Sequence, residues 1–188
     1  MLQARVFKAI QFATSAHDGQ YRKGTQVPYI VHPFGVAMTL LDFNVAEDVI
    51  IAALLHDAVE DTDATLAQIR SEFGENVARI VDEASEPNKA DSWENRKQHT
   101  IESLQKVSPE TLLVSVADKL DNLRSIRRDL EQNGEAIWDR FKRPREQQQW
   151  YYQSLCQVFL KRGTQAPLSI LAQELARETA LVFPTNRA

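Results

Sequence analysis

Val49-Ile50-Ile51-Ala52-Ala53-Leu54-Leu55-His56-Asp57-Ala58-Val59-Glu60-Asp61 is the stretch on which the fold and the chemistry turn. The seven residues Val49 to Leu55 carry no polar side chain, so a helix here is expected to be buried on most sides. At ~100° per residue His56 and Glu60 align, as do Asp57 and Asp61, which puts an imidazole and three carboxylates on one face. Unpaired buried charges cost several kcal/mol each, and a bound cation is the least costly way to keep such a group ionised together.

Two further segments supply groups of the same kind. His32 lies in Pro28-Tyr29-Ile30-Val31-His32-Pro33, where the following proline suits a helix's first turn. Asp118 interrupts the largely apolar run from Leu112 to Leu123, with Asn122 one turn later on the same face. The expected metal ligands are His32, His56, Asp57 and Asp118. Two imidazoles and two carboxylates suit Mn²⁺, Fe²⁺ or Zn²⁺ better than Ca²⁺ or Mg²⁺, and Mn²⁺ is the expected ion. Glu60 and Asp61 remain as catalytic acid and base. Taken singly, a histidine before proline is more often a structural residue, and an acid in an amphipathic helix is usually solvated. It is the conjunction at matching phase that packing does not explain. With His17, His32, His56 and His99 the only histidines, a two-metal centre would be short of ligands, so one ion is expected.

Elsewhere the helical period persists and no alternating strand pattern competes with it. Helices are expected over 2–17, 33–42, 46–60, 65–73, 75–84, 93–107, 109–131, 144–162 and 167–182, an all-α bundle of about eight to ten helices around the metal site. Loops are marked by residues such as Gly24, Pro87 and Gly134, Ser108-Pro109 reads as an N-cap and first-turn pair, and Asn44 or Asp63 could cap other helix starts. Leu2, Val6, Ala9, Ile10 and Ala13 share a face, which favours a first structural helix over a transit peptide. At 188 residues and 43% hydrophobic content, one domain over 1–188 is expected.

The lone Cys156 excludes an internal disulfide and fits core packing in a reducing cytoplasm. No run approaches the ~20 apolar residues of a membrane span. A net charge of −4 argues against a general nucleic-acid binder. A homo-oligomer is left open.

Tyr29-Ile30-Val31-His32-Pro33, His56-Asp57-Ala58-Val59-Glu60-Asp61-Thr62 and Ala117-Asp118-Lys119-Leu120-Asp121-Asn122-Leu123-Arg124 together resemble the signatures of the HD-type hydrolase domain of the RelA/SpoT family. Arg22-Lys23-Gly24 resembles its basic loop, and the match runs from about residue 1 to about 160, leaving 164–188 as a C-terminal helical extension. Members of that family remove the 3′-pyrophosphate from the alarmones ppGpp and pppGpp. Two departures stand out: Ala58 where the family often has Thr, and Asp121 where it often has His or Tyr, a negative charge added beside the substrate.

The resemblance implies a small alarmone hydrolase that gives GDP or GTP and pyrophosphate. In a chain of this length, with no room for a synthetase domain, degradation alone is expected. Arg22, Lys23 and Asn122 would border the nucleotide, and Lys97, Arg145 and Tyr152 would reach its phosphates. The other basic residues, Arg96, Arg124, Arg127, Arg128, Lys142 and Arg143, read singly as solvated faces. Two alternatives stay open: the same site acting on an adenine alarmone or the 2′-phosphate of NADPH, and a module that binds alarmones without cleaving them. Intact Glu60 and Asp61 speak against the second.

Overall fold

The structure is a computed structural model that describes residues 4–86 and 89–184; the expectations for Leu2 and Pro87 fall outside them. Among the described residues it is α-helical: α1 Ala4–Ala16, α2 Val31–Leu41, α3 Glu47–Leu55, α4 Ala58–Asp61, α5 Leu66–Phe73, α6 Glu75–Ala84, α7 Trp93–Ser103, α8 Pro109–Asn133, α9 Arg145–Arg162 and α10 Leu168–Val182. A 3-10 helix, Gly134–Arg140, links α8 to α9.

Two helices organise the rest. Every residue from Val49 to Leu55 of α3 is buried, and burial of each Val, Ile or Leu among them is worth roughly 1.5–3 kcal/mol. That is enough to fix α3 at the centre, packed on α1, α2, α6 and α8. The 25-residue α8 is the long strut of the bundle. It starts where Ser108 accepts the Thr111 N–H with Pro109 in the first turn, and it stops at Gly134, whose φ of 63° suits a residue without a side chain. α2, α10 and α6 lie against it.

The chain departs from the expected elements at several places, and α7 ends at Ser103 where a helix to residue 107 was expected. The helix expected over 46–60 is two: α3 ends at Leu55, and His56 and Asp57 form the turn before α4. The Ala53 carbonyl accepts from His56 Nδ1 at 2.8 Å, so the histidine closes the helix that carries it. Neither Asn44 nor Asp63 caps a helix. Ala46 precedes α3 without a side-chain cap, and Thr65 caps α5 in a reciprocal box with Gln68. The 3-10 segment carries an apolar pair, Ile137 and Trp138, too short to show a period.

The extension 164–188 is integral to the core as far as it is described. Leu168, Leu171, Ala172, Leu175 and Val182 of α10 are buried, and Phe183 stacks on Trp138 at 5.5 Å between ring centroids. Arg127 donates to Glu178 at 2.9 Å and Arg124 pairs with Glu174. Those two arginines therefore tether α10. Cys156 is buried, its Sγ 3.3 Å from Thr179 Oγ1, in the packing role expected of it.

Candidate metal centre

His32 sits in the first turn of α2, His56 and Asp57 in the turn after α3, and Asp118 midway along α8. These elements converge because their apolar faces share one core, and the four polar groups meet where that core opens. His32 Nε2 lies 3.2 Å from Asp118 Oδ1 and 3.5 Å from Asp57 Oδ2. His56 Nε2 lies 3.2 Å from Asp57 Oδ2 and 3.9 Å from Asp118 Oδ1. Ligand atoms of His32, His56 and Asp118 all fall within 4.8 Å of one another.

The imidazoles are oriented from behind. His56 Nδ1 donates to the Ala53 carbonyl, and His32 Nδ1 is 2.7 Å from Asp121 Oδ2. With each Nδ1–H engaged, the neutral ring presents its Nε2 lone pair to the cluster, as a metal ligand requires. Among the described residues His56 Nε2 is buried and has no hydrogen-bond partner. A divalent cation satisfies that orphaned atom and the two carboxylates beside it together, so the residues fit a metal.

Electrostatics say the same. Burial disfavours the charged imidazole of His56, yet the carboxylates of Asp57 and Asp118 override it and push its pKa up to about 9. Burial would raise the Asp57 and Asp118 carboxyls; the histidines hold Asp57 below the usual range, and Lys119 with the histidines holds Asp118 there. The cluster is thus an anionic cage that draws in protons when nothing heavier fills it.

Asp121 does not face the substrate side. It lines neither cavity described below, and its Oδ1 packs on Gly35, where a Cβ would stand 2.3 Å away. Gly35 is therefore the residue that lets Asp121 reach His32. The pairing of Gly35 with His32, one turn apart on α2, was the signal available in the sequence.

Above the cluster opens a cleft of about 660 Å³. Glu60, Asp61, Lys97, Asn122 and Tyr29 line it together with the four candidate ligands. Burial chiefly, then the charges of Asp57 and Asp61, raise the Glu60 pKa against the Glu86 N–H, which donates to Glu60 Oε2 at 3.1 Å, and against Lys89. Asp61 is more exposed, and Lys89 Nζ donates to its Oδ1 at 2.5 Å. The Tyr29 hydroxyl donates to Asp57 Oδ2 at 2.7 Å and lies 3.3 Å from Asp61 Oδ2, tying a candidate ligand to a candidate catalytic acid.

Lys119 and Glu86, which sequence reasoning passed over, complete this wall with Asn122. Lys119 Nζ donates to Asp118 Oδ2 at 2.6 Å, and Asn122 Nδ2 donates to its Oδ1 at 2.6 Å. Glu86 forks onto Arg96. Lys97 sits over the Tyr151 ring at 5.1 Å, and burial together with the neighbouring Lys119 lowers its pKa.

A second cavity of about 200 Å³ adjoins the first through Tyr29 and Asn122, and it collects Arg22, Lys23 and Tyr152 beside Arg140 and Phe141. Arg22 donates to Asn122 Oδ1 at 2.8 Å. Arg145 lines neither cavity; its guanidinium lies over the Phe183 ring at 5.9 Å. Arg143, the nearest basic residue before it, forks onto Glu94 at 2.5 and 3.0 Å.

Known proteins place this arrangement. The HD domain family model matches residues 9–147. The guanosine-3′,5′-bis(diphosphate) 3′-pyrophosphohydrolase MESH1 of Drosophila melanogaster is 35% identical over 183 residues, which is 95% of this chain and 97% of that protein. Its counterpart from Mus musculus is 41% identical over 128 residues, 66% of this chain and 71% of that one. A solved metazoan ortholog of SpoT, described as hydrolysing ppGpp, superposes with a TM-score of 0.79 at 33% identity, covering 96% of this chain and 98% of its own. The chain therefore belongs to the HD domain family, among the MESH1-type relatives of SpoT.

Proposed function

We propose that the protein is a metal-dependent hydrolase that removes the 3′-pyrophosphate from ppGpp and pppGpp, giving GDP or GTP and pyrophosphate. One observation carries the reading: two imidazoles with their Nδ1 atoms engaged turn both Nε2 atoms onto two carboxylates at the base of a cleft that also holds Glu60.

His32, His56, Asp57 and Asp118 are the proposed ligands and Mn²⁺ the proposed ion, since two nitrogen and two carboxylate donors suit it. Bound there, a divalent cation supplies Lewis-acid polarisation of the phosphoryl group and acidifies water. Glu60, with its raised pKa, accepts the proton of the attacking water, and Asp61 shares that task. The water oxygen bonds to the phosphorus carried on the ribose 3′ oxygen, the bond to that oxygen breaks, and the oxygen leaves with the proton that Glu60 took from the water. Arg22, Lys23 and Asn122 hold the nucleoside side in the smaller cavity, joined there by Tyr152, which was expected at the phosphates but does not line the larger cleft, and Lys97 meets the phosphates in the larger.

Residues 1–188 are proposed to act as one hydrolase unit in the cytoplasm; among the described residues no helix is long and apolar enough to cross a membrane. The test is a panel of ppGpp, pppGpp, ppApp and NADPH with Mn²⁺ present and products identified. Pyrophosphate with GDP or GTP from the guanine alarmones is the expected result. Release of a single phosphate from NADPH alone, with both guanine alarmones intact, would overturn it.

A further inference from the structure

The cationic wall of the cleft already holds an anion, and that anion belongs to the protein. Glu86 Oε1 pairs with Arg96 Nε, its Oε2 accepts from the second guanidinium arm at 3.0 Å, and Lys97 Nζ lies 3.7 Å from the same oxygen. The Glu86 side chain is only 11% exposed. Burial acts to raise its pKa, but Arg96, Lys97 and Lys119 outweigh it and keep the group ionised. All four residues line the cleft that holds His32, His56, Asp57 and Asp118.

A guanidinium fork that accommodates a carboxylate also accommodates two oxygens of a phosphate, with similar bite and more charge. The other cation–anion pairs of the cleft have a structural reading, since Lys119 is committed to Asp118 at 2.6 Å. Arg96 and Lys97 have no such tie to the metal cluster. The main-chain N–H of Glu86, in contrast, donates to Glu60 Oε2 and does not depend on where the Glu86 side chain points.

We propose that Arg96 and Lys97 form a phosphate subsite whose resident anion, the Glu86 carboxylate, is exchanged for a phosphate group of the substrate when the cleft fills. The proposal rests on the reading of the cleft as a pyrophosphohydrolase site and deepens it. Glu86 thereby sets specificity: a group must carry more charge than a carboxylate to replace it. Exchange leaves the Glu86 N–H on Glu60, so the affinity of the subsite is adjusted without disturbing the base.

Inorganic pyrophosphate is the probe, with binding followed calorimetrically on the full chain at fixed salt and fixed Mn²⁺. Glu86→Gln keeps the shape and removes the competing charge, so pyrophosphate should bind about tenfold tighter, the size of one charge-assisted hydrogen bond. Glu86→Asp withdraws the charge from the fork and should tighten binding to a smaller degree, a second reading if the first variant folds poorly. In an Arg96→Gln background the gain from Glu86→Gln should vanish.

Unchanged or weaker pyrophosphate binding in both Glu86 variants would mean that Glu86 merely scaffolds the two cations, and would overturn the proposal. So would a gain that survives loss of Arg96, because the effect would then be the overall charge of the cleft. Binding of inorganic pyrophosphate is read independently of turnover, so it can fail while alarmone hydrolysis stands, and the reverse.

Discussion

Replacing Glu60 by Gln separates proton transfer from binding. In the protein Glu60 Oε2 accepts the Glu86 N–H at 3.1 Å, a bond that the amide oxygen of Gln can keep. The nearest cation is Lys89, with Nζ 3.7 Å from Oε1 on an exposed side chain, so loss of that pair costs little folding energy. What disappears is the base. Its pKa stands above the ordinary carboxylate value because burial and the charges of Asp57 and Asp61 disfavour the ionised form, which brings it nearer to working pH. Loss of a positioned base typically lowers rate by about 10²–10⁴-fold, or roughly 2.7–5.5 kcal/mol of transition-state stabilisation. Single-turnover ppGpp hydrolysis, nucleotide binding and metal content should be measured on one preparation. Turnover should fall in that range while affinity and metal content hold. The wild-type rate should decline as pH drops through the raised Glu60 pKa, and that acid limb should be absent from Glu60→Gln. Loss of metal in Glu60→Gln, or near wild-type turnover in the double variant with Asp61→Asn, would refute the assignment.

Other perturbations test the surroundings. His56→Ala should lose bound metal and melt several degrees lower, since ligand binding to the folded state is lost with it; metal analysis and a thermal melt check both. Asp121→Asn keeps an acceptor behind His32 but removes its negative charge, and should weaken metal binding about 10–100-fold with the fold intact, read by competition with a coloured chelator. Tyr29→Phe leaves Asp57 and Asp61 without their shared donor, and kcat should fall about tenfold with KM nearly constant, the scale of one charge-assisted hydrogen bond. In metal-free protein His56 has a folded pKa of about 9, above its usual 6.5. Its contribution to stability is therefore full below pH 6.5 and is lost as pH rises to 9. The metal-free melting temperature should fall across that window while the increment from added Mn²⁺ grows, because the ion no longer has to displace a proton.

That His32, His56 and Asp118 would come together was legible because it rests on residue chemistry at short spacing. His56-Asp57 closes an apolar run, and an acid inside the α8 pattern is out of place unless it has a purpose. The helix break at His56 was not legible. The carbonyl that His56 Nδ1 engages is a main-chain group, and the i, i+4 phase of Glu60 fits a continuous helix equally well. Long-range pairings were hidden for a different reason. Arg124 and Arg127 follow Asn122 in sequence, yet their partners Glu174 and Glu178 lie about 50 residues on, in an extension with no motif. Asp121 looked like an added charge beside the substrate, and only the approach across Gly35 shows it serving His32. Glu86 belonged to a polar loop until the fold brought Arg96 and Lys97 against it.

The most direct test of the metal-dependent reading is a titration. Protein stripped with a chelator and freed of it should release no pyrophosphate from ppGpp. Stepwise Mn²⁺ should then restore release in proportion, reaching a plateau at one equivalent per chain. Full activity in excess chelator with no ion bound would contradict the account, as would a plateau reached only at two equivalents.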